Sequence, residues 1–297
     1  MITTDVKKQI VEAINARRGK YASDAKMAIS LGISAAQLST IKRGQLDKVL
    51  SDANWISIAR MLDVQLGRQQ AWKTAATPVF AYIYSQLTWC QDNGQSGLLC
   101  DRADVGKTYT AKCYVKERRN AVYIDCSQVK TRQKLIRQMA REYGLNHTGR
   151  YNDVYDDLVY YLRTIETPLI ILDESGDLDY PAFLELKALW NATERACGWF
   201  MMGADGLRRK IEIHLSQQKV GYQELFSRFG NRYQRISPDG KDAYEEFMRA
   251  QIALIARAND PEADIQKLYV TTGGSLRRIP VELKKQAEQK KQNPAQA

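Results

Sequence analysis

The chain has 297 residues, of which 44% are hydrophobic and 26% are charged. This composition is that of globular domains and excludes a largely disordered or collagen-like chain, and the length predicts two or three domains. The net charge of +10 is uneven, because residues 1–73 hold 12 basic and 6 acidic residues, a net +6. A basic surplus in one small segment favours a polyanion partner, usually nucleic acid, over a merely solvated surface.

The sequence disfavours a membrane protein, a secreted protein and a zinc protein. No apolar run approaches the length of a membrane span, and the first residues carry no apolar core of a secretory signal, so we expect no membrane partner. The five cysteines form no C-x-x-C pair and there are two histidines, which makes a structural zinc site improbable. Reduced thiols and a cytoplasmic location are expected.

Residues 5–62 have the pattern of short helices, with a helix-turn-helix in the middle. Gly32 predicts a tight turn between helices over 23–31 and 34–43, and Ser34 with Gln37 predicts a capping box at the start of the second. Ala35 and Ala36 offer only methyl contacts near that start, so we expect DNA binding with little sequence readout. A helical bundle that binds protein is the alternative. The predicted DNA contacts here are Gln37, Thr40, Lys42 and Arg43.

After Pro78 the pattern becomes that of an α/β domain. Apolar runs predict strands over 96–100, 121–126, 169–173 and 199–203, with helices over 108–118, 131–143, 151–165 and 181–196 between them. Such alternation predicts a parallel sheet covered by helices on both faces. A helix over 79–90 precedes the sheet, and helices over 243–258, 265–270 and 276–290 follow it.

A phosphate-binding loop is predicted after the first strand. Residues 101–108 read DRADVGKT and stand between a strand and a helix, the context of a P-loop. Lys107 is then expected to pair with the β- and γ-phosphates of ATP, and the Thr108 hydroxyl to bind Mg²⁺. Asp101 and Asp104 stand where this motif usually has glycine, so each carboxylate has to point away from the phosphates or be offset by Arg102.

A second half-site is predicted at the end of the third strand. Four apolar residues lead into Asp173 and Glu174, the form of a Walker B strand. Asp173 is expected to hold the Mg²⁺ shell with Thr108, and Glu174 to orient the attacking water. A solvated acidic turn after a buried strand is the alternative interpretation.

The two half-sites together resemble those of the AAA+ ATPases over about residues 78–290. The resemblance implies an AAA+ P-loop core with a parallel sheet and a C-terminal helical lid, here preceded by a small all-α helix-turn-helix domain. It implies Arg228 as arginine finger, with Arg232 as the alternative, and Arg277 as sensor 2. A polar sensor 1 is in doubt because Ala204 is apolar and only Asp205 is polar nearby. The implied nucleotide-binding residues are Asp104, Val105, Gly106, Lys107, Thr108, Tyr109, Asp173 and Arg277, and the implied catalytic residues are Lys107, Glu174, Arg228 and Arg277.

The order of segments resembles the MuB family of ATP-dependent target-DNA activators in transposition, to which IstB- and TnsC-like ATPases are related. The resemblance implies a slow ATPase that uses Mg²⁺, forms ATP-dependent oligomers or filaments on double-stranded DNA, and recruits and activates a transposase. A replicative helicase loader and an ATP-regulated DNA-binding regulator are two alternatives, and an interaction protein with an inactive P-loop, which Asp101 leaves open, is a third. The expected domains are 1–66 (helix-turn-helix), 67–77 (linker), 78–238 (ATPase core), 239–290 (lid) and 291–297 (disordered tail).

A second DNA-binding segment is predicted after the second core strand. Lys130, Lys134, Arg137 and Arg141 recur at three or four residues, which places positive charge on one helical face. A solvated face is the alternative. The expected contacts are with the DNA backbone, and the residues are Lys130, Thr131, Arg132, Lys134 and Arg137.

Overall fold

A computed structural model describes residues 2–62, 64 and 72–292 of the chain. Its N-terminal part is all helical and packs around Trp55, which is fully buried with Ile10, Ile14, Leu38 and Ile41. The helices here are α1 (Thr4–Arg17), α2 (Asp24–Leu31), α3 (Ala35–Lys42) and α4 (Asp52–Met61).

The turn between α2 and α3 follows from its residues. Gly32 ends α2 at a φ of 71°, a left-handed conformation that costs glycine little. Ser34 and Gln37 then form the expected capping box at the start of α3. Of the expected linker, residues 67–71 lie outside the described residues, and residues 72–77 form neither helix nor strand. The domain boundaries remain predictions.

The centre of the molecule is a parallel sheet. Its strands are β1 (Ser96–Cys100), β2 (Ala121–Asp125), β3 (Leu169–Asp173) and β4 (Gly198–Gly203), in the order β1-β4-β3-β2. Each lies within a residue or two of the predicted strand. A short parallel bridge extends the sheet beyond β1, where Gln234 donates its backbone N–H to the Leu98 carbonyl at 2.8 Å and Cys100 donates to the Gln234 carbonyl at 3.0 Å.

Helices cover both faces of the sheet, as the alternating pattern predicts. One face packs against α5 and α6 in a cluster that includes Ile83, Tyr114 and Phe200. The other face packs against the remaining core helices around Leu172 and Met201. The core helices are α5 (Pro78–Asn93), α6 (Lys107–Glu117), α7 (Arg132–Glu142), α8 (Tyr151–Thr164), α9 (Tyr180–Ala192), α10 (Asp205–Ser216) and α11 (Tyr222–Arg228).

Two of these helices are absent from the sequence-based prediction. Helix α10 buries only Leu207 and Ile211, and the spacing of four residues from Leu207 to Ile211 and Leu215 is a helical signal that the prediction overlooked. Helix α11 has seven residues, too few to show a period.

The C-terminal part is a small helical unit. It contains α12 (Lys241–Asn259), α13 (Ile265–Thr272) and α14 (Ile279–Gln292), which pack around Ile252, Leu268 and Ile279. The last helix was expected from residue 276, but residues Leu276–Arg278 form a 3₁₀ turn. Lys291 and Gln292 of the expected tail are the end of α14, and residues 293–297 lie outside the described residues.

The N-terminal bundle packs directly on the core through α2. The Lys26 ammonium lies 3.5 Å from the centre of the Tyr161 ring on α8. Gly144, just after α7, packs so closely against α2 that an added Cβ would lie 2.2 Å from the Lys26 carbonyl oxygen. Arg141 of α7 donates to the sulfur of Met61 at 3.3 Å. Across the described ranges, no helix is long and apolar enough to cross a membrane.

Candidate nucleotide site

The loop over residues 101–108 joins the end of β1 to the first turn of α6. Gly106 caps this helix at a φ of 106°, and the nearest atom to an added Cβ would be in Val79, at 3.9 Å. Helix α6 begins at Lys107, so its unpaired N–H groups and its dipole are available to an anion at the loop.

Lys107 is buried within this loop. Its ammonium donates to the carbonyl oxygens of Asp101 at 2.8 Å and of Arg102 at 2.6 Å. Burial lowers the pKa of Lys107, and the nearby carboxylates of Asp101 and Asp173 act in the opposite direction. The ammonium is therefore held by two neutral acceptors, which a phosphate oxygen could replace.

Thr108 and Asp173 meet where β1 and β3 end. The Thr108 hydroxyl donates to Asp173 Oδ2 at 2.6 Å, and the Tyr123 hydroxyl donates to the same oxygen at 2.8 Å. Burial and the Asp173 charge raise the pKa of Tyr123, so its hydroxyl stays a donor. In the described chain no three His, Cys, Asp or Glu side chains form a metal cluster. One hydroxyl and one carboxylate fit a Mg²⁺ ion that takes its other ligands from phosphates and water.

Glu174 has a strained backbone next to this pair. Its φ of 49° is uncommon for a residue other than glycine and places its side chain at the start of a tight turn. The carboxylate accepts no hydrogen bond from any described residue. Partial burial and the Asp173 charge raise the pKa of Glu174, and Lys107 opposes that shift. An unpartnered carboxylate beside Asp173 is suited to orient a water molecule.

Asp101, at the first usual glycine position, points away from the loop. It is fully buried, and its Oδ2 accepts the backbone N–H groups of Ile236 at 2.8 Å and Ser237 at 2.9 Å. Its Oδ1 accepts the N–H of Arg102 at 2.7 Å and the Ser237 hydroxyl. This carboxylate therefore joins the start of the phosphate loop to the segment that bridges to β1.

Asp104, at the second usual glycine position, contacts the turn before α14. Its φ is 63°, the conformation that favours glycine. Asp104 Oδ2 accepts the Ser275 hydroxyl at 2.5 Å, and Oδ1 lies 3.5 Å from Nε of Arg277. Arg277, the expected sensor 2, thus lies beside the phosphate loop with its side chain 76% exposed. Both carboxylates are thus engaged by donors outside the phosphate loop, Asp101 by Ile236 and Ser237 and Asp104 by Ser275, which reduces the charge conflict that the sequence posed.

The two candidate arginine fingers differ in their surroundings. Arg228 donates to Asn191 at 2.6 Å and lies 5.3 Å from the Trp190 ring, so it is held within its own subunit. Arg232 is exposed and has no ionic partner among the described residues. Arg232 is therefore the freer of the two to reach a neighbouring subunit. Asp205 lies exposed in the first turn of α10, after Ala204.

The remaining nucleotide-site predictions lie on either side of the loop. Val105 is buried, and Tyr109 on α6 shares a 2.8 Å hydrogen bond with the Thr74 hydroxyl. Tyr123 was not foreseen, since it stands in the middle of a strand and no motif marks it. Arg102, which was considered only as a counter-charge, lies 4.1 Å from the Tyr244 ring of α12.

The predicted DNA contacts on α3 are partly occupied by local interactions. Gln37 uses its side chain in the capping box and in a 3.3 Å bond to the Val49 carbonyl. Thr40 bonds back to Ala36 and Arg43 to Ser39, while Lys42 pairs with Asp24 at 2.8 Å. Ala35 and Ala36 are exposed, as expected for the start of this helix.

Several residues of the predicted basic face of α7 make contacts within the chain. Arg137 donates to the carbonyls of His147 at 2.6 Å and Gly149 at 3.0 Å and so fixes the loop before α8. Thr131 stands at the N-cap position of α7 without a side-chain capping bond, and Lys130, just before it, pairs with Asp177 at 3.2 Å. Arg132 lies 3.9 Å from Glu185 and 5.3 Å from the Tyr151 ring. Lys134 is exposed with no ionic partner among the described residues.

Comparison with known proteins identifies the central part of the chain. Residues 90–211 match the AAA_22 family model, which is described as an AAA domain. No curated protein matches the chain. The matched segment contains β1 to β4, the phosphate loop and the Asp173-Glu174 pair, so the family assignment and the geometry concern the same residues. The chain contains an AAA domain.

Proposed function

We propose that this chain binds and hydrolyses ATP at the site formed by the phosphate loop and the end of β3. One observation carries the proposal: within the matched AAA domain, the Thr108 hydroxyl lies 2.6 Å from Asp173 Oδ2. Lys107 precedes Thr108 in the sequence, and Glu174 follows Asp173. Mg²⁺, when bound, would neutralise charge on the phosphates. Lys107 exchanges its loop carbonyls for phosphate oxygens, and Glu174 orients the water and accepts its proton.

We further propose that the ATP-bound protein binds DNA with little sequence preference, in the manner of MuB-like transposition proteins. The net charge of +10 and the exposed methyl groups of Ala35 and Ala36 on α3 support backbone contact over base readout. Lys134 adds an unpaired positive charge at the start of α7. Oligomers formed with ATP, in which Arg232 or Arg228 reaches a neighbour's site, and recruitment of a transposase belong to the same proposal.

Two substitutions test the ATPase proposal. Lys107→Ala should abolish nucleotide binding, because the other cation of the loop, Arg102, packs on the Tyr244 ring of α12. Glu174→Gln should retain binding and stop turnover, because the amide cannot accept the proton of the water. Lys284→Ala and Glu246→Gln are the matched controls, since both residues are exposed and lie outside the site. Normal turnover by Glu174→Gln would refute the role of Glu174, and unchanged ATP binding by Lys107→Ala would refute the site.

The alternatives give different results in DNA binding. A regulator should prefer one operator sequence over random DNA, whereas a helicase loader should need the helicase for its effect on DNA. Measuring the affinity for several random duplexes, with and without ATP, separates both from the proposed function.

A further inference from the structure

Tyr123 of β2 holds the carboxylate of Asp173 from the neighbouring strand. Its hydroxyl donates to Asp173 Oδ2 at 2.8 Å, the same oxygen that accepts the Thr108 hydroxyl at 2.6 Å. Asp173 Oδ1 accepts the backbone N–H of Glu174 at 3.0 Å. Of these donors, Tyr123 is the one that lies outside both the phosphate loop and the Asp173-Glu174 pair. Neither the phosphate contacts nor the orientation of the attacking water requires it.

The reach of Tyr123 to Asp173 follows from the sheet. Side chains alternate between the two faces of a strand, and Tyr123 lies with Ala121 on the face that packs against α5 and α6. Strands β2 and β3 are parallel, and Tyr123 pairs with Ile171. Asp173 comes two residues after Ile171 and so shares its face. The hydroxyl therefore has to span one diagonal between neighbouring strands, which is within reach of an aromatic side chain.

The ring of Tyr123 is itself held in place. It is partly buried and packs against the apolar cluster that joins the sheet to α5 and α6. The Lys112 ammonium of α6 lies 5.6 Å from the ring centre, which is within the range of a cation–π contact. Because α6 also carries Thr108, the packing of this helix fixes the Tyr123 hydroxyl relative to both candidate Mg²⁺ ligands.

Asp173 depends on such donors because it is buried. Its exposed fraction is 1%, and a buried charge is costly unless it is hydrogen-bonded. Carboxylates that bind a metal ion are commonly oriented by a hydrogen-bonding partner that does not touch the ion. The loss of such a partner typically weakens metal binding by roughly 10–100-fold. Tyr123 has the position and the donor that this kind of partner needs.

We propose that Tyr123 is a positioning residue for Mg²⁺ at the nucleotide site. It holds Asp173 Oδ2 beside the Thr108 hydroxyl, so that the two candidate ligands are in place before the ion binds. This inference rests on the proposed nucleotide binding and adds a residue that sets how strongly Mg²⁺ enhances that binding. A tyrosine that only satisfied the buried charge of Asp173 would stabilise the fold without affecting the enhancement.

Calorimetric titration with AMP-PNP, a non-hydrolysable analogue of ATP, tests the proposal without turnover. Its affinity is measured in saturating Mg²⁺ and in EDTA, and the ratio of the two affinities is the enhancement by Mg²⁺. Comparing this ratio between variants cancels the binding of Mg²⁺ to free AMP-PNP. Tyr123→Phe should lower the ratio about tenfold and change the affinity in EDTA little. Tyr84→Phe is the matched control, because the Tyr84 hydroxyl also donates to a carboxylate at 2.8 Å, that of Glu117 at the far end of α6.

Two further replacements of Tyr123 isolate the donor from the ring. 4-Aminophenylalanine keeps an N–H donor where the hydroxyl stands and should retain most of the enhancement by Mg²⁺. 4-Methylphenylalanine fills the same space without donating and should behave as Tyr123→Phe does. The second of these tests the proposal even if the gap left by phenylalanine prevents folding.

The outcomes separate this inference from the proposed function. If the natural chain binds no AMP-PNP, with or without Mg²⁺, the nucleotide site itself is refuted. If it binds AMP-PNP but Tyr123→Phe shows the same enhancement by Mg²⁺, or a larger one, the site stands and the role of Tyr123 is refuted. A lower Tm for Tyr123→Phe with an unchanged enhancement would show a purely structural tyrosine and would likewise overturn the inference.

Discussion

Replacing Asp101 by glycine should destabilise this protein, although glycine is the usual residue at that position of a phosphate loop. Asp101 is fully buried and accepts the backbone N–H groups of Ile236 and Ser237 through one oxygen. Glycine supplies no acceptor, so both donors stay buried and unpaired. Glycine also adds freedom to the unfolded chain.

These two bonds set a lower limit on the effect, because Arg102 N–H and the Ser237 hydroxyl also lose their acceptor. A hydrogen bond to a charged group contributes about 1.5–3 kcal/mol, so the loss of both costs about 3–6 kcal/mol. That is a large part of the ~5–15 kcal/mol by which a typical domain is stable. At roughly 2–4 °C per kcal/mol for a domain of this size, the Tm should fall on the order of 10 °C.

Thermal unfolding followed by circular dichroism measures this loss. Asp104→Gly is the matched control, because it also restores a usual glycine but at a residue with a φ of 63° whose carboxylate is partly exposed. We expect a much smaller change in Tm there, since relief of backbone strain offsets the lost contacts. A Tm for Asp101→Gly equal to or above that of the natural chain would refute the structural role of Asp101.

Three further changes test other parts of the account. Arg232→Ala should lower ATP turnover about tenfold or more. If Arg232 acts on a neighbour's site, mixing Arg232→Ala subunits with Lys107→Ala subunits should restore part of the turnover. No recovery on mixing would argue against a role in a neighbouring site. Asp104→Ala should speed amide hydrogen exchange in residues 276–278, because the change removes the contacts of Asp104 with Ser275 and Arg277. Unchanged exchange there would show that these contacts do not hold the turn. Burial lowers the pKa of Lys20 to about 7. The unfolded chain therefore binds more protons between pH 7 and 10.5, so stability should rise with pH over that window. Lys20→Met should stabilise the protein at pH 7 and lose this effect above pH 10.5, which denaturant titration at both pH values checks.

The local features of the site could be predicted from sequence. The strand before the phosphate loop and the strand that ends at Asp173 are short apolar runs followed by polar residues. The capping box at the start of α3 involves only Ser34 and Gln37, which are three residues apart. Each of these signals depends on neighbours in the chain. For the same reason the four strands were found within a residue or two of their positions in the structure.

The long-range features could not be predicted. The partners of Asp101 lie 135 and 136 residues away in sequence, so the direction of its carboxylate depends on the fold. The hydrogen bond from the Tyr123 hydroxyl to Asp173 likewise joins two strands that are distant in the sequence. The basic spacing on α7 did not predict the bonds of Arg137 to two loop carbonyls, because spacing indicates which residues share a face and not which carbonyl groups that face meets. Helix α11 was missed because seven residues are too few to show a period, whereas the helical spacing of the apolar residues in α10 was overlooked.

One measurement tests the central claim most directly, that nucleotide at Lys107 controls the binding of DNA. Fluorescence anisotropy of a labelled random-sequence duplex gives the affinity of the natural chain with and without ATP and Mg²⁺, and that of Lys107→Ala, Glu174→Gln and the control Lys284→Ala. The account predicts tight binding with ATP for the natural chain, Glu174→Gln and Lys284→Ala, and weak binding for Lys107→Ala and without ATP. Equal affinity for DNA in all these conditions would contradict it.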